Sequence, residues 1–198
     1  MKKFTWILLV AIGFSSFVAK AQDTNATFTP SGKPIIRVFT DARTTFTDAV
    51  GTTAATNSAA FEINRAYLGY EYHFTQDITG TVIYDVGNPG VGSLLNTAFL
   101  KNAFLNYKHK NLSVNFGMMP TTQFAVQESF WGNRYVEKVF QDKYGFNPSA
   151  DMGASATYKF GNVISADVSV ENGEGYKKVQ ADNKFKTALG LPLTRLKN

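Results

Sequence analysis

The feature that most constrains this chain is a strict alternation of apolar and polar residues. Residues 153–171 read GASATYKFGNVISADVSVE, with Ala154, Ala156, Tyr158 and Phe160, then Ile164, Ala166, Val168 and Val170, at every second position. A period of two marks strands with one apolar and one polar face. Phe160 and Ile164 stay on the same apolar face only if Gly161, Asn162 and Val163 form a three-residue connection. A two-residue turn would send Ile164, Ala166 and Val168 to the polar side. The apolar face must then be buried, either in a protein core or in lipid.

The same period recurs in eight segments. Ile36, Val38, Thr40 and Ala42 share one face of the first, with Arg37, Phe39, Asp41 and Arg43 opposite. Ala66, Leu68, Tyr70 and Tyr72 mark the second, and Gly80, Val82, Tyr84 and Val86 the third. Ala103, Leu105 and Tyr107 mark the fourth, and Leu112, Val114, Phe116 and Met118 the fifth. The hairpin above supplies the sixth and seventh, and residues 185–193 a weaker eighth with Leu189, Leu191 and Leu193 on one face.

Connections between these segments alternate in length. Residues 75–77, 109–111 and 161–163 are short, whereas 44–60, 88–99, 119–151 and 172–182 are long. Both ends of a soluble sandwich see the same solvent, so it imposes no such rule. A barrel in an outer membrane has tight turns at one end and long loops at the other. Tyr72, Phe74, Tyr107, Phe116 and Phe160 fall near strand ends, where interfacial aromatic girdles sit. The expected fold is therefore all-β, an antiparallel transmembrane β-barrel.

At the N-terminus, Lys2 and Lys3 precede an apolar run that ends in Ala19-Lys20-Ala21. A basic start, a short apolar stretch and small residues three apart form a secretory signal, residues 1–21, cut after Ala21. The expected location is the outer membrane. Residues 22–198 then form the strand-bearing domain. Of the formal charge of +5, three units belong to Lys2, Lys3 and Lys20, which leaves no nucleic-acid signature. With no cysteine there is neither a disulfide framework nor a thiolate metal site. His73 and His109 stand alone, and no nucleophile elbow or phosphate-binding glycine loop is present. No enzyme chemistry, catalytic residue, metal or cofactor is expected.

If lipid covers the apolar face, the opposite face lines a polar interior. Its charged candidates are Arg37, Asp41, Arg43, Arg65, Glu71, Asp85, Lys108, Lys159 and Asp167. Their mixed signs suit a water-filled channel but define no substrate. In the third long connection, Trp131, Tyr135, Val139 and Phe140 recur at helical spacing, which predicts a short amphipathic helix. Arg134, Lys138 and Gln141 form a second stripe that could line a constriction and favour anions, with Glu128, Glu137 and Asp142 opposing it. An ordinary solvated loop face is the competing expectation.

The run WGNRYVEKVFQDKYGFNPSADMGASATYKF, continued by ISADVSVENGEGYKK and preceded by FEINRAYLGYEYHFTQDITGTVIYD, resembles general porins related to the phosphate-selective porins O and P. The resemblance implies a barrel of sixteen strands, often assembled as a trimer, whose third loop (residues 119–151 here) narrows a pore for small hydrophilic solutes or anions. Sixteen strands need more than about 300 residues. The 177 residues after the signal therefore read as the N-terminal half of such a porin. Two other architectures fit the pattern: a complete eight-stranded membrane barrel with an adhesive or structural role, and a secreted soluble β-sandwich that binds glycans or proteins.

Overall fold

The computed structural model describes residues 28–46, 57–87 and 96–193. The expected signal segment, the long connections at 47–56 and 88–95, and the side chain of Arg43 lie outside the described residues. The strands are β1 (Ser31–Phe46), β2 (Asn57–His73), β3 (Ile78–Gly87), β4 (Thr97–His109), β5 (Leu112–Pro120), β6 (Ala150–Lys159), β7 (Ser165–Glu171) and β8 (Lys186–Gly190). They form one eight-stranded open sheet in sequence order, each antiparallel to its chain neighbours. Two helices, α1 (Thr122–Trp131) and α2 (Phe140–Lys143), lie between β5 and β6. No helix among the described residues is long and apolar enough to cross a membrane.

The alternation survives every pairing. Ile36 stands opposite Leu68, Leu68 opposite Tyr84, and Tyr84 opposite Leu100. Farther along, Leu105 meets Phe116, Phe116 meets Ala154, Ala154 meets Val170, and Val168 meets Leu189. This apolar face is bare: Ile36 is 69% exposed, and Leu68, Tyr84, Leu105, Phe116 and Val168 are all exposed. Among the described strand residues, none of those on it is Asp, Glu, Lys or Arg. The other face is covered over much of its area, and most of what it buries is polar: Thr81, Asp85, Lys101, Asn102, Ser155, Asp167, Ser169 and Glu171, with Tyr67 and Met119 beside them. A water-soluble core has the opposite arrangement.

Two bulges interrupt the ladder. Phe39 pairs with Arg65 but Thr40 with Ile63, so Asn64 is the extra residue. Likewise Ile83 pairs with Asn102 but Tyr84 with Leu100, so Lys101 is extra. A bulge sets two consecutive residues against one and re-aims side chains. Here Lys101 and Asn102 are both buried on the covered face. Gly117 on β5 lies directly opposite Gly153 on β6, and on either a Cβ would run into the neighbouring strand's backbone. Glycine at such a point lets strands close up and the sheet bend.

The short connections form as the pattern requires. The Phe160 N–H donates to the Ile164 carbonyl at 2.9 Å, which closes the three-residue loop at Gly161, Asn162 and Val163. Between β2 and β3, Thr75 Oγ1 accepts the N–H groups of Asp77 and Ile78 at 3.2 and 3.0 Å. Between β4 and β5 the turn is only Lys110 and Asn111, with Lys110 in the left-handed region at φ 49°. Strands β1 and β2 run farther than their alternation suggested, to Phe46 and from Asn57. The eighth strand is shorter and is continued by a single bridge from Leu193 to Ile164.

The amphipathic helix expected over residues 131–141 does not form. The helix lies earlier, at Thr122–Trp131, and ends at Gly132, whose φ of 66° is left-handed. Beyond it the chain turns on Asn133, whose carbonyl accepts the N–H groups of Val136 and Glu137 at 2.9 and 3.2 Å. Arg134, Lys138 and Gln141 therefore share no helical stripe.

Candidate functional site

Charged side chains on the covered face concentrate where the third long connection crosses it. That connection is tied at its base: Thr121 Oγ1 donates to the Pro148 carbonyl at 2.9 Å, and the Thr121 N–H to the Ser149 carbonyl at 3.2 Å. From there α1 leans over the sheet, burying Phe124. The ammonium of Lys101 lies 5.7 Å from the centroid of the Phe124 ring and 4.4 Å from that of Tyr67. It also donates a hydrogen bond to the Tyr67 hydroxyl at 2.9 Å. Attraction to ring faces, strengthened by desolvation, holds this lysine at 7% exposure. Among the described residues it has no carboxylate partner.

Arg65 and Asp85, both expected on the polar face, meet beside it. Arg65 Nε donates to Asp85 Oδ1 at 2.7 Å and its Nη2 to Oδ2 at 2.5 Å. A two-point pair of this kind fixes orientation as well as charge. Tyr176, from the connection between β7 and β8, closes the group. Its hydroxyl donates to Asp85 Oδ2 at 3.4 Å and accepts from Arg65 Nη2 at 3.3 Å. The Tyr176 N–H is tied to the Ala150 carbonyl at 3.0 Å, and its ring stacks on Phe99 with centroids 6.0 Å apart. Burial pushes the Tyr176 hydroxyl up to about 12, with the Asp85 carboxylate adding to the shift and the Arg65 cation opposing it. The cluster thus brings two cations and one carboxylate together on the covered face.

A second group lies between β1 and α1. Arg37, Phe124, Glu128 and Arg134 line a cleft of about 440 Å³. Arg134 Nε sits 3.4 Å from Glu128 Oε1, and its guanidinium lies 5.6 Å from the centroid of the Phe39 ring. Two of the expected charged positions, Arg37 and Arg134, are therefore brought together from strands and loop.

The other candidates scatter. Glu71 pairs with Lys33 at 3.0 Å, and the His73 ring lies 3.4 Å from the same oxygen, toward the short-turn end. Lys108 and Lys159 are exposed near the short turns. Asp41 accepts from Asn64 Nδ2 at 2.7 Å. Asp167 is buried against Gly190 of β8. Lys138 is exposed, whereas Gln141 is buried and its Oε1 accepts from Gln127 Nε2 at 3.0 Å. Among the described residues no group of His, Asp and Glu side chains could hold a metal ion.

Lys101, Tyr67 and Tyr176 were not among the expected site residues. A signal for Lys101 lay in the sequence: the apolar alternation slips phase at Lys101-Asn102, as it does at Asn64-Arg65. Two polar residues in a row, with alternation on both sides, mark a bulge. Tyr176 carries no such signal, because it reaches Asp85 from a loop 91 residues away. No protein-family model matches the chain, and no curated protein or solved structure matches it significantly.

Proposed function

We propose that this sheet is part of the wall of an outer-membrane β-barrel of the general porin type, forming a water-filled channel for passive diffusion of small hydrophilic solutes or anions. The bare face meets lipid, the covered face lines the channel, and the third connection, residues 119–151, narrows it. One observation carries this: across all seven pairings the large apolar side chains of one face are bare, while the opposite face buries Thr81, Asp85, Asn102, Ser155, Asp167, Ser169 and Glu171. A face without a charged residue suits hydrocarbon, where each exposed Lys or Arg costs roughly 2–4 kcal/mol at mid-depth. A long loop pinned against the polar face suits a constriction. The rings of Tyr72 and Phe74, Tyr107 and His109, and Tyr158 and Phe160 pair near the short-turn ends of their strands, as an interfacial girdle would.

The test is extraction followed by conductance. Protein from an expressing outer membrane should need detergent for release and should give discrete current steps when reconstituted into a planar bilayer. Release into buffer without detergent would favour the secreted sandwich, with a second sheet on the bare face. Detergent dependence without current would sink the channel and leave a closed membrane protein of adhesive or structural role.

A further inference from the structure

The cleft between β1 and α1 holds two guanidinium groups in unlike states. Arg134 is engaged twice: Glu128 Oε1 lies 3.4 Å from its Nε, and the centroid of the Phe39 ring lies 5.6 Å from its guanidinium carbon. The Phe39 ring is in turn set edge-on to Tyr67, with centroids 5.7 Å apart. Arg37 stands two residues from Phe39 on β1, so it shares the covered face, opposite Tyr67. It is exposed, and among the described residues it has no carboxylate within ion-pair distance. Its donors therefore line the cleft uncommitted.

Much of the remaining lining is apolar. Pro120 ends β5, and Phe124 and Ala125 come from the first turn of α1. This wall is fixed in place, because Thr121 is tied to Pro148 and Ser149 and the Phe124 ring is buried beside the Lys101 ammonium. The cleft volume of about 440 Å³ falls within the range of about 300–1,000 Å³ typical of small-ligand pockets.

Each part of the lining selects. A free guanidinium matches a carboxylate through two parallel hydrogen bonds. Apolar walls favour a solute with a hydrocarbon body, and they offer too few donors to replace the water around a phosphate ion. Glu128 places a negative charge in the same cleft, so one anionic group is tolerated there and a second is opposed.

We infer that this cleft binds monocarboxylates with a compact apolar body, the carboxylate on Arg37 and the hydrocarbon against Phe124, Ala125 and Pro120. The site's place on a permeation path rests on the channel reading above, whereas the cleft itself does not.

Trp131 precedes Gly132 in the cleft lining, and the chain's other tryptophan, Trp6, falls in the expected signal segment. Trp131 fluorescence of the full chain in detergent therefore reports binding independently of conductance. The probe is cyclohexanecarboxylate, which is transparent where tryptophan is excited. A saturable change is expected, with acetate, inorganic phosphate and uncharged cyclohexanecarboxamide each bound at least about tenfold more weakly. Arg37→Gln should weaken the probe's binding by about tenfold or more, and Arg37→Lys, which keeps the charge but not the fork, by less. Arg37 is exposed, so neither change threatens the fold. No saturable response by fluorescence or calorimetry, equal affinity for phosphate, or unchanged binding by Arg37→Gln would overturn the site. Arg37-dependent binding in a protein that passes no current would uphold the site and remove the channel; current without such binding would do the reverse.

Discussion

Arg65 on β2 and Asp85 on β3 form a two-point ion pair on the covered face, with Asp85 fully buried and the Arg65 side chain 17% exposed. Each alone is an expensive charge to bury; together, and with the Tyr176 hydroxyl, they satisfy one another. Removing Asp85 alone, as Asp85→Ala, should cost about 3–5 kcal/mol because the guanidinium is left uncompensated. The double variant Arg65→Ala/Asp85→Ala should recover part of that loss. Urea unfolding in detergent measures both, and a double variant no better than the single would show that the pair does not act as a unit.

The glycines that let the sheet bend make a second test. A Cβ on Gly153 would meet the Val170 carbonyl oxygen and the Glu171 Cα, both backbone atoms that cannot swing aside. Gly117 adds a left-handed φ of 122°. Gly153→Ala should destabilise by about 1–3 kcal/mol through overpacking, and Gly117→Ala by at least as much through added strain. Midpoints of thermal unfolding that match the parent would show that the sheet flattens freely there.

Tyr176 should titrate late. Its hydroxyl is pushed by burial from an ordinary 10.0 to about 12. A group whose folded value lies above its unfolded one contributes stability that is complete below the unfolded value and is lost as pH rises through the folded one. Folding should therefore weaken between pH 10 and 12. Difference absorbance of tyrosinate, parent minus Tyr176→Phe, should rise near pH 12, and a rise near pH 10 would refute the burial.

The two faces should respond differently to substitution. Val168 is on the bare face of β7, whereas Ser169 is buried on the covered face. Val168→Lys should impair membrane assembly, costing roughly 2–4 kcal/mol at mid-depth. Ser169→Ala should assemble normally, since it adds no charge to lipid. Counting folded protein in outer membranes by its resistance to unfolding in cold detergent separates the two, and equal yields would remove lipid from the bare face.

The third connection gives a prediction about permeation. Arg37 and Arg134 line one cleft, with only Glu128 as a counter-charge among its lining residues. Arg37→Glu should shift the reversal potential in a salt gradient toward cations, whereas Lys138→Glu, at an exposed position outside that cleft, should shift it less. Equal shifts would place the narrow point elsewhere.

Local sequence settled much of this protein. Side chains alternate with a period of two, so a one-residue slip would expose every polar residue to the wrong side. That is why the strands and the Phe160–Ile164 closure were legible before the fold. What the alternation could not supply belongs to pairs of strands and to distant loops. The bulges at Asn64 and Lys101 exist because two strands count residues differently, and each sets two polar residues in a row on its strand. The helix lies earlier than the spacing of Trp131, Tyr135 and Val139 suggests, because the left-handed backbone of Gly132 ends α1. Only the tertiary structure brought Tyr176 to Asp85 and Arg134 to Arg37. Those contacts join segments far apart in the chain, and no local pattern encodes the packing that draws them together.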